Sequence, residues 1–144
     1  MKSEKYIQDF VNNLIRQKES NTLDFKLKIT SKEKIAKTIS ALANTKGGYL
    51  LIGVSDKRKI VGIDPEEEKY MIESANEEFC IPPAQIRFEE IKMYNEDYLI
   101  KGEDEELSLL LVQIFQCQSE KITVKTSSGE IRTYIRKGDQ TLAI

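Results

Sequence analysis

Apolar residues change their spacing several times along the chain, and each change predicts an element. Tyr6, Ile7, Phe10, Val11, Leu14 and Ile15 recur every three or four positions, which predicts an amphipathic helix from about Ser3 to Lys18 that docks on the rest of the domain or on a partner. From Leu23 the period drops to two. Leu23, Phe25, Leu27 and Ile29 alternate with Asp24, Lys26 and Lys28, the pattern of a half-buried strand with those three charged residues on its open face. A second helix follows, with Thr30 or Ser31 as N-cap and Ile35, Ile39 and Leu42 on one face, ending near Asn44. Gly47-Gly48 breaks it.

Tyr49-Leu50-Leu51-Ile52-Gly53-Val54 is continuously apolar, as expected of a central strand covered on both faces. Ser55 to Lys59 reads as a turn, and Ile60 to Ile63 as the returning strand of a hairpin. Pro65 and the acids behind it open a third helix that runs to about Phe79, and Pro82-Pro83 stops it. Strands are predicted at Gln85 to Met93, Leu107 to Phe115, Ile122 to Lys125 and Ile131 to Arg136, with Ser127 to Glu130 as a turn. Tyr94 to Glu106 is an acidic connector holding one short apolar piece, Tyr98-Leu99-Ile100. This order predicts an α+β fold: a single compact domain with a mixed, mostly antiparallel sheet and helices packed on it, comprising the helix of residues 1–18 and a main body of 19–144.

Composition narrows the class. A chain of 144 residues with a 40% apolar and 32% charged share is enough for one core without disulfides. No apolar run approaches the roughly 18 residues of a membrane span, and the N-terminus lacks a secretory pattern, so a cytoplasmic protein is expected. Cys80 and Cys117 stand far apart with no histidine in the chain, which excludes the usual zinc spacings and a Ser-His catalytic system. The net charge of −2 conceals an asymmetry: residues 26–59 hold nine Lys or Arg against two acids, and residues 64–106 hold fifteen acids against four cations. A local basic field of that kind attracts phosphate even when the total is slightly acidic, although solvated helix faces give the same counts.

Two groups of residues could carry chemistry. Glu19, Asp24 and Asp56 fall at element ends, where three carboxylates can converge on a divalent cation such as Mg²⁺ or Mn²⁺, although solvated or salt-bridged acids are the commoner case. Lys26, Lys28, Lys46, Lys57, Arg58 and Arg136 are candidates to hold a nucleic-acid backbone; Arg136 and Lys137 alternatively pair with Asp139 or the acidic half. Gly47-Gly48 follows a helix and leads into a strand, the reverse of a phosphate-cradling P-loop. Asn44 and Thr45 are placed to bond exposed carbonyls at that helix end.

One run is more specific than its parts. Glu19-Ser20-x-x-x-Asp24-Phe25-Lys26 is followed by Ile39-Ser40-Ala41-Leu42-Ala43-Asn44-Thr45-x-Gly47-Gly48, then Gly53-Val54-x-Asp56 and Ile60-Val61-Gly62, with Gly129-x-x-x-x-Tyr134-Ile135-Arg136-x-Gly138 near the end. This set resembles the AlbA-type domain of Schlafen-like proteins over residues 19 to 144, with Asn44, Thr45, Gly47, Gly48, Gly53 and Gly138 as its signature. The resemblance implies a domain that binds DNA or RNA, with a regulatory role in transcription among the expected ones. It also implies a second reading, a metal-dependent endoribonuclease using Glu19, Asp24 and Asp56, with Mg or Mn as cofactor. Asp24 is one methylene shorter than the Glu common at its position, and Ser55 stands where another Asp is frequent. A third reading is a protein-interaction module. Schlafen cores hold two similar lobes, so the resemblance further implies a homodimer with a shared groove.

Overall fold

The computed structural model describes residues 3–94 and 106–144, so nearly all of the acidic connector, Tyr98-Leu99-Ile100 included, lies outside the described residues. The first helix, α1, spans Glu4–Ile15 and is capped by Ser3, whose hydroxyl accepts from Tyr6 N–H at 3.1 Å. It stops before Lys18 because no apolar residue after Ile15 remains to hold a further turn to the sheet beneath. Val11 and Leu14 are its buried residues, seated on Leu23, Leu51, Ile91, Leu109 and Leu111.

Strand β1 (Leu23–Lys26) is joined to β2 (Gly48–Ile52) through helix α2 (Lys32–Thr45), and the two strands run parallel, as such a crossover requires. Helix α3 (Pro65–Phe79) is capped by Asp64, which accepts from the Glu66 and Glu67 N–H groups. After it come β3 (Cys80–Ile81), β4 (Ile86–Tyr94), β5 (Glu106–Ile114), β6 (Thr123–Lys125), β7 (Ile131–Lys137) and β8 (Gln140–Ala143). The strands divide between two four-stranded sheets, ordered β1-β2-β5-β4 and β3-β6-β7-β8, and every pairing except β1 with β2 is antiparallel. The α+β class stands, with its strands in two sheets.

Alternation explains how the first sheet is covered on both sides. Leu51, Leu109 and Leu111 point toward α1, whereas Leu50, Ile52, Leu110, Val112 and Ile114 join a second core with α2, α3 and the second sheet. Nine of the fourteen residues of α2 are buried, because the helix lies between sheets and has almost no solvent face. Ala36, Ser40, Ala41 and Ala43 keep it thin enough to fit there.

The predicted returning strand at Ile60 to Ile63 is reduced to one bridge, Ile60 with Val54. Val61 and Gly62 both donate to the Gly53 carbonyl, so this segment closes a loop without continuing a ladder.

Candidate nucleic-acid interface

The signature segment is structural. Asn44, buried at the end of α2, donates to the Ile122 and Tyr134 carbonyls at 2.9 Å each and accepts from Ile122 N–H at 2.7 Å, so its carboxamide fastens the second sheet to the helix. Thr45 donates to the Ala41 carbonyl and accepts from Arg136 N–H. A Cβ at Gly48 would lie 2.2 Å from the Thr22 carbonyl oxygen, and one at Gly47 2.7 Å from that of Ile114; backbone cannot retreat from either. Gly53 directly follows β2, and Gly138 with Asp139 forms the two-residue turn between β7 and β8.

Asp24 is not on an open face. It is 3% exposed, and its Oδ1 accepts from Arg136 Nη2 at 2.8 Å, while Oδ2 lies 3.3 Å from Lys26 Nζ without hydrogen-bond geometry. Arg136 is 5% exposed and also donates to the Ser20 carbonyl and the Thr141 hydroxyl. The expectation that Arg136 contacts phosphate is therefore corrected. Its guanidinium, a side-chain type suited to bidentate phosphate contacts, is spent inside the fold, neutralising Asp24 and tying the β7–β8 hairpin to the edge of β1. The alternation in β1 misled because both its faces are covered: Leu23 and Phe25 by α1, Asp24 by the hairpin. Leu27, placed on the buried face by the same alternation, lies past the strand end and is exposed.

Glu19 accepts from Phe25 N–H at 3.0 Å. Burial raises its pKa above the usual glutamate value, and the neighbouring Asp24 carboxyl raises it further, against the opposing pull of Phe25 N–H and Lys26. Two carboxyls thus share one site with two cations, Arg136 and Lys26. Asp56 is elsewhere, exposed in the turn after β2, and among the described residues no group of three or more His, Cys, Asp or Glu is placed to hold a metal. Glu19, Asp24 and Asp56 as arranged do not fit a divalent cation, so no cleavage step is derived from them.

The basic candidates divide by position. Lys26 ends β1 and Lys28 follows it; the loop after β2, bearing Lys57 and Arg58, leaves beside them, with Gly53 and Val54 N–H groups on the Lys26 carbonyl. Arg58, held at φ 66°, lays its guanidinium 4.0 Å from the Phe25 ring centre. These four belong to one end of the molecule. Lys46 caps the far end of α2, roughly 20 Å away along fourteen residues at 1.5 Å each, and is not part of that group. Sequence reasoning overlooked Lys34 and Thr38, which share a helix face with Ser31 at that same end; their spacing of three and seven from the cap was the available signal.

The fold is a two-sheet α+β domain whose basic residues gather where the parallel strands end and α2 begins. The chain belongs to the Schlafen, AlbA_2 family: a model of that family matches residues 19–144. Membership associates it with nucleic acid. In fold it is similar to the DIP2311 protein from Corynebacterium diphtheriae, with a TM-score of 0.56 and 16% identity over 98% of this chain. The chain spans 26% of that protein's length. Among the described residues, no helix is long and apolar enough to cross a membrane.

Proposed function

We propose that this domain binds nucleic acid through its phosphate backbone, with Lys26, Lys28, Lys57 and Arg58 as the contacting side chains. The supporting observation is a contrast of pairing: Lys28, Lys57 and Arg58 have no carboxylate within ion-pair distance among the described residues, whereas Asp24 is occupied by Arg136 and Lys26 within the fold. Unpaired cations on adjoining loops displace counterions when they meet a polyanion, and that release drives association. Arg58 on the Phe25 ring adds a flat surface suited to stacking on an unpaired base.

Fluorescence anisotropy with labelled single- and double-stranded DNA and RNA tests this. Affinity should fall linearly on a log–log plot against salt, and the Lys28→Glu, Arg58→Glu double variant should bind at least about tenfold more weakly. Absence of binding to every probe at low salt would overturn the proposal.

A further inference from the structure

Beside the first turn of α2 lies a hollow of about 150 Å³, lined by Lys26, Lys28, Lys34, Ser31, Thr38 and their neighbours, with no acid among its lining residues. A water needs only about 10–15 Å³ of such space, so the hollow admits a larger polar group. Its floor is Ile29 and Ile35, both buried. Lys28 and Lys34 both line it, and neither makes an ion pair among the described residues.

Thr38 gives the second, independent indication. It is 8% exposed, it lines the hollow, and its hydroxyl makes no hydrogen bond among the described residues. Thr45, in the same helix, shows the ordinary alternative by donating to the carbonyl four residues back at 2.8 Å. A buried threonine that does not use that carbonyl presents a donor to whatever fills the space before it. The positive end of the helix dipole adds its field at the same place, since Ser31 is the N-cap. Donors, two unpaired ammonium groups and no carboxylate make a site for an anion with several acceptor oxygens.

We infer that this hollow seats one phosphate group, held by Lys28, Lys34 and the Thr38 hydroxyl, and that in the working protein the group belongs to a nucleic-acid backbone. The inference rests on the proposed binding function for the source of the phosphate, and on the hollow alone for its chemistry. It places one backbone phosphate beside α2, so that the strand then runs toward Lys57 and Arg58.

The test uses the full chain, two loss variants, Thr38→Val, which keeps the shape and removes the hydroxyl, and Lys34→Met on the surface, and a restoring variant, Thr38→Ser. Circular dichroism checks that all of them fold. With labelled single-stranded RNA and DNA, Thr38→Val should weaken binding by at least about tenfold, the low end of the range for one lost hydrogen bond to a charged group. Lys34→Met should reduce the salt slope by about one, and Thr38→Ser should restore affinity. Inorganic phosphate is titrated in parallel while the backbone amides of Ser31, Lys34 and Thr38 are followed by NMR. Nucleic-acid binding with both loss variants equal to the parent overturns the phosphate seat and leaves the binding function standing. Saturable amide shifts with phosphate, abolished in Thr38→Val but without nucleic-acid binding, uphold the seat, assign it to free phosphate and overturn the backbone source. No response to phosphate or nucleic acid overturns both.

Discussion

Two charged regions lie within a few residues of each other on and just after β1 and are put to opposite uses. Around Asp24, two carboxyls and two cations are folded inward until Arg136 and Asp24 are almost wholly buried, and their charges cancel. Around Lys28, cations of the same types lie on loops and make no ion pair among the described residues. The difference is one of neighbours: Arg136 sits on a strand whose hairpin closes over Asp24, while Lys57 is exposed on a turn and Arg58 beside it is only partly covered. Residue type therefore says little about whether a charge serves the fold or a ligand, and what packs over it decides.

The sharpest way to break this contrast is to remove the inward cation. Arg136→Met should destabilise the domain by about 3–5 kcal/mol, because Asp24 is left buried without its partner; chemical denaturation measures it, and a change below about 1 kcal/mol would show the pair to be dispensable. On the outward side the expectation is reversed. Lys28→Glu should shift unfolding by no more than about 0.5 kcal/mol and Arg58→Glu, which loses the Phe25 contact, by about 1 kcal/mol, while both weaken nucleic-acid affinity, and a loss of stability equal to that of Arg136→Met would erase the distinction between the two regions.

A subtler effect concerns Glu19. Its pKa is raised in the fold, so the fold favours the protonated form, and the stability this group contributes is fully present below the ordinary value of 4.5 and lost as pH rises through the folded value. Glu19→Gln mimics the protonated state and can donate to Asp24 Oδ2. Thermal melts should find it more stable than the parent at neutral pH, with the advantage shrinking to nothing below pH 4.5; a variant less stable at pH 7 would mean that the carboxylate is needed ionised. The smallest expected effect is none: since the Glu19–Asp24 pair is already neutralised by cations, EDTA should leave nucleic-acid affinity unchanged, and a drop on chelation would point to a metal in the complex.

The elements were legible where local physics fixes them. Ser31 caps α2 as its type suggests, α3 runs between the proline and the end of its apolar pattern, and the continuous run from Tyr49 to Ile52 is the doubly covered strand. What was not legible depended on distance. Asp24 and Arg136 lie 112 residues apart, and no periodicity in β1 reveals that a hairpin from the other end of the domain covers it. β3 has two residues and β8 four, too short to stand out, and they are strands only because β6 and β7 were there to pair with. The same holds for the carboxylates: element ends placed Glu19 near Asp24, but the turn carrying Asp56 left the group.

The Asn44 carboxamide also bears on how the molecule comes apart. Three hydrogen bonds from one side chain join the end of α2 to backbone 78 and 90 residues further on. The second sheet consequently cannot loosen by degrees at that seam. The Ile122 amide, whose proton rests on Asn44 Oδ1, should exchange with solvent only when the two sheets part, and so reports in hydrogen exchange on their cooperative separation.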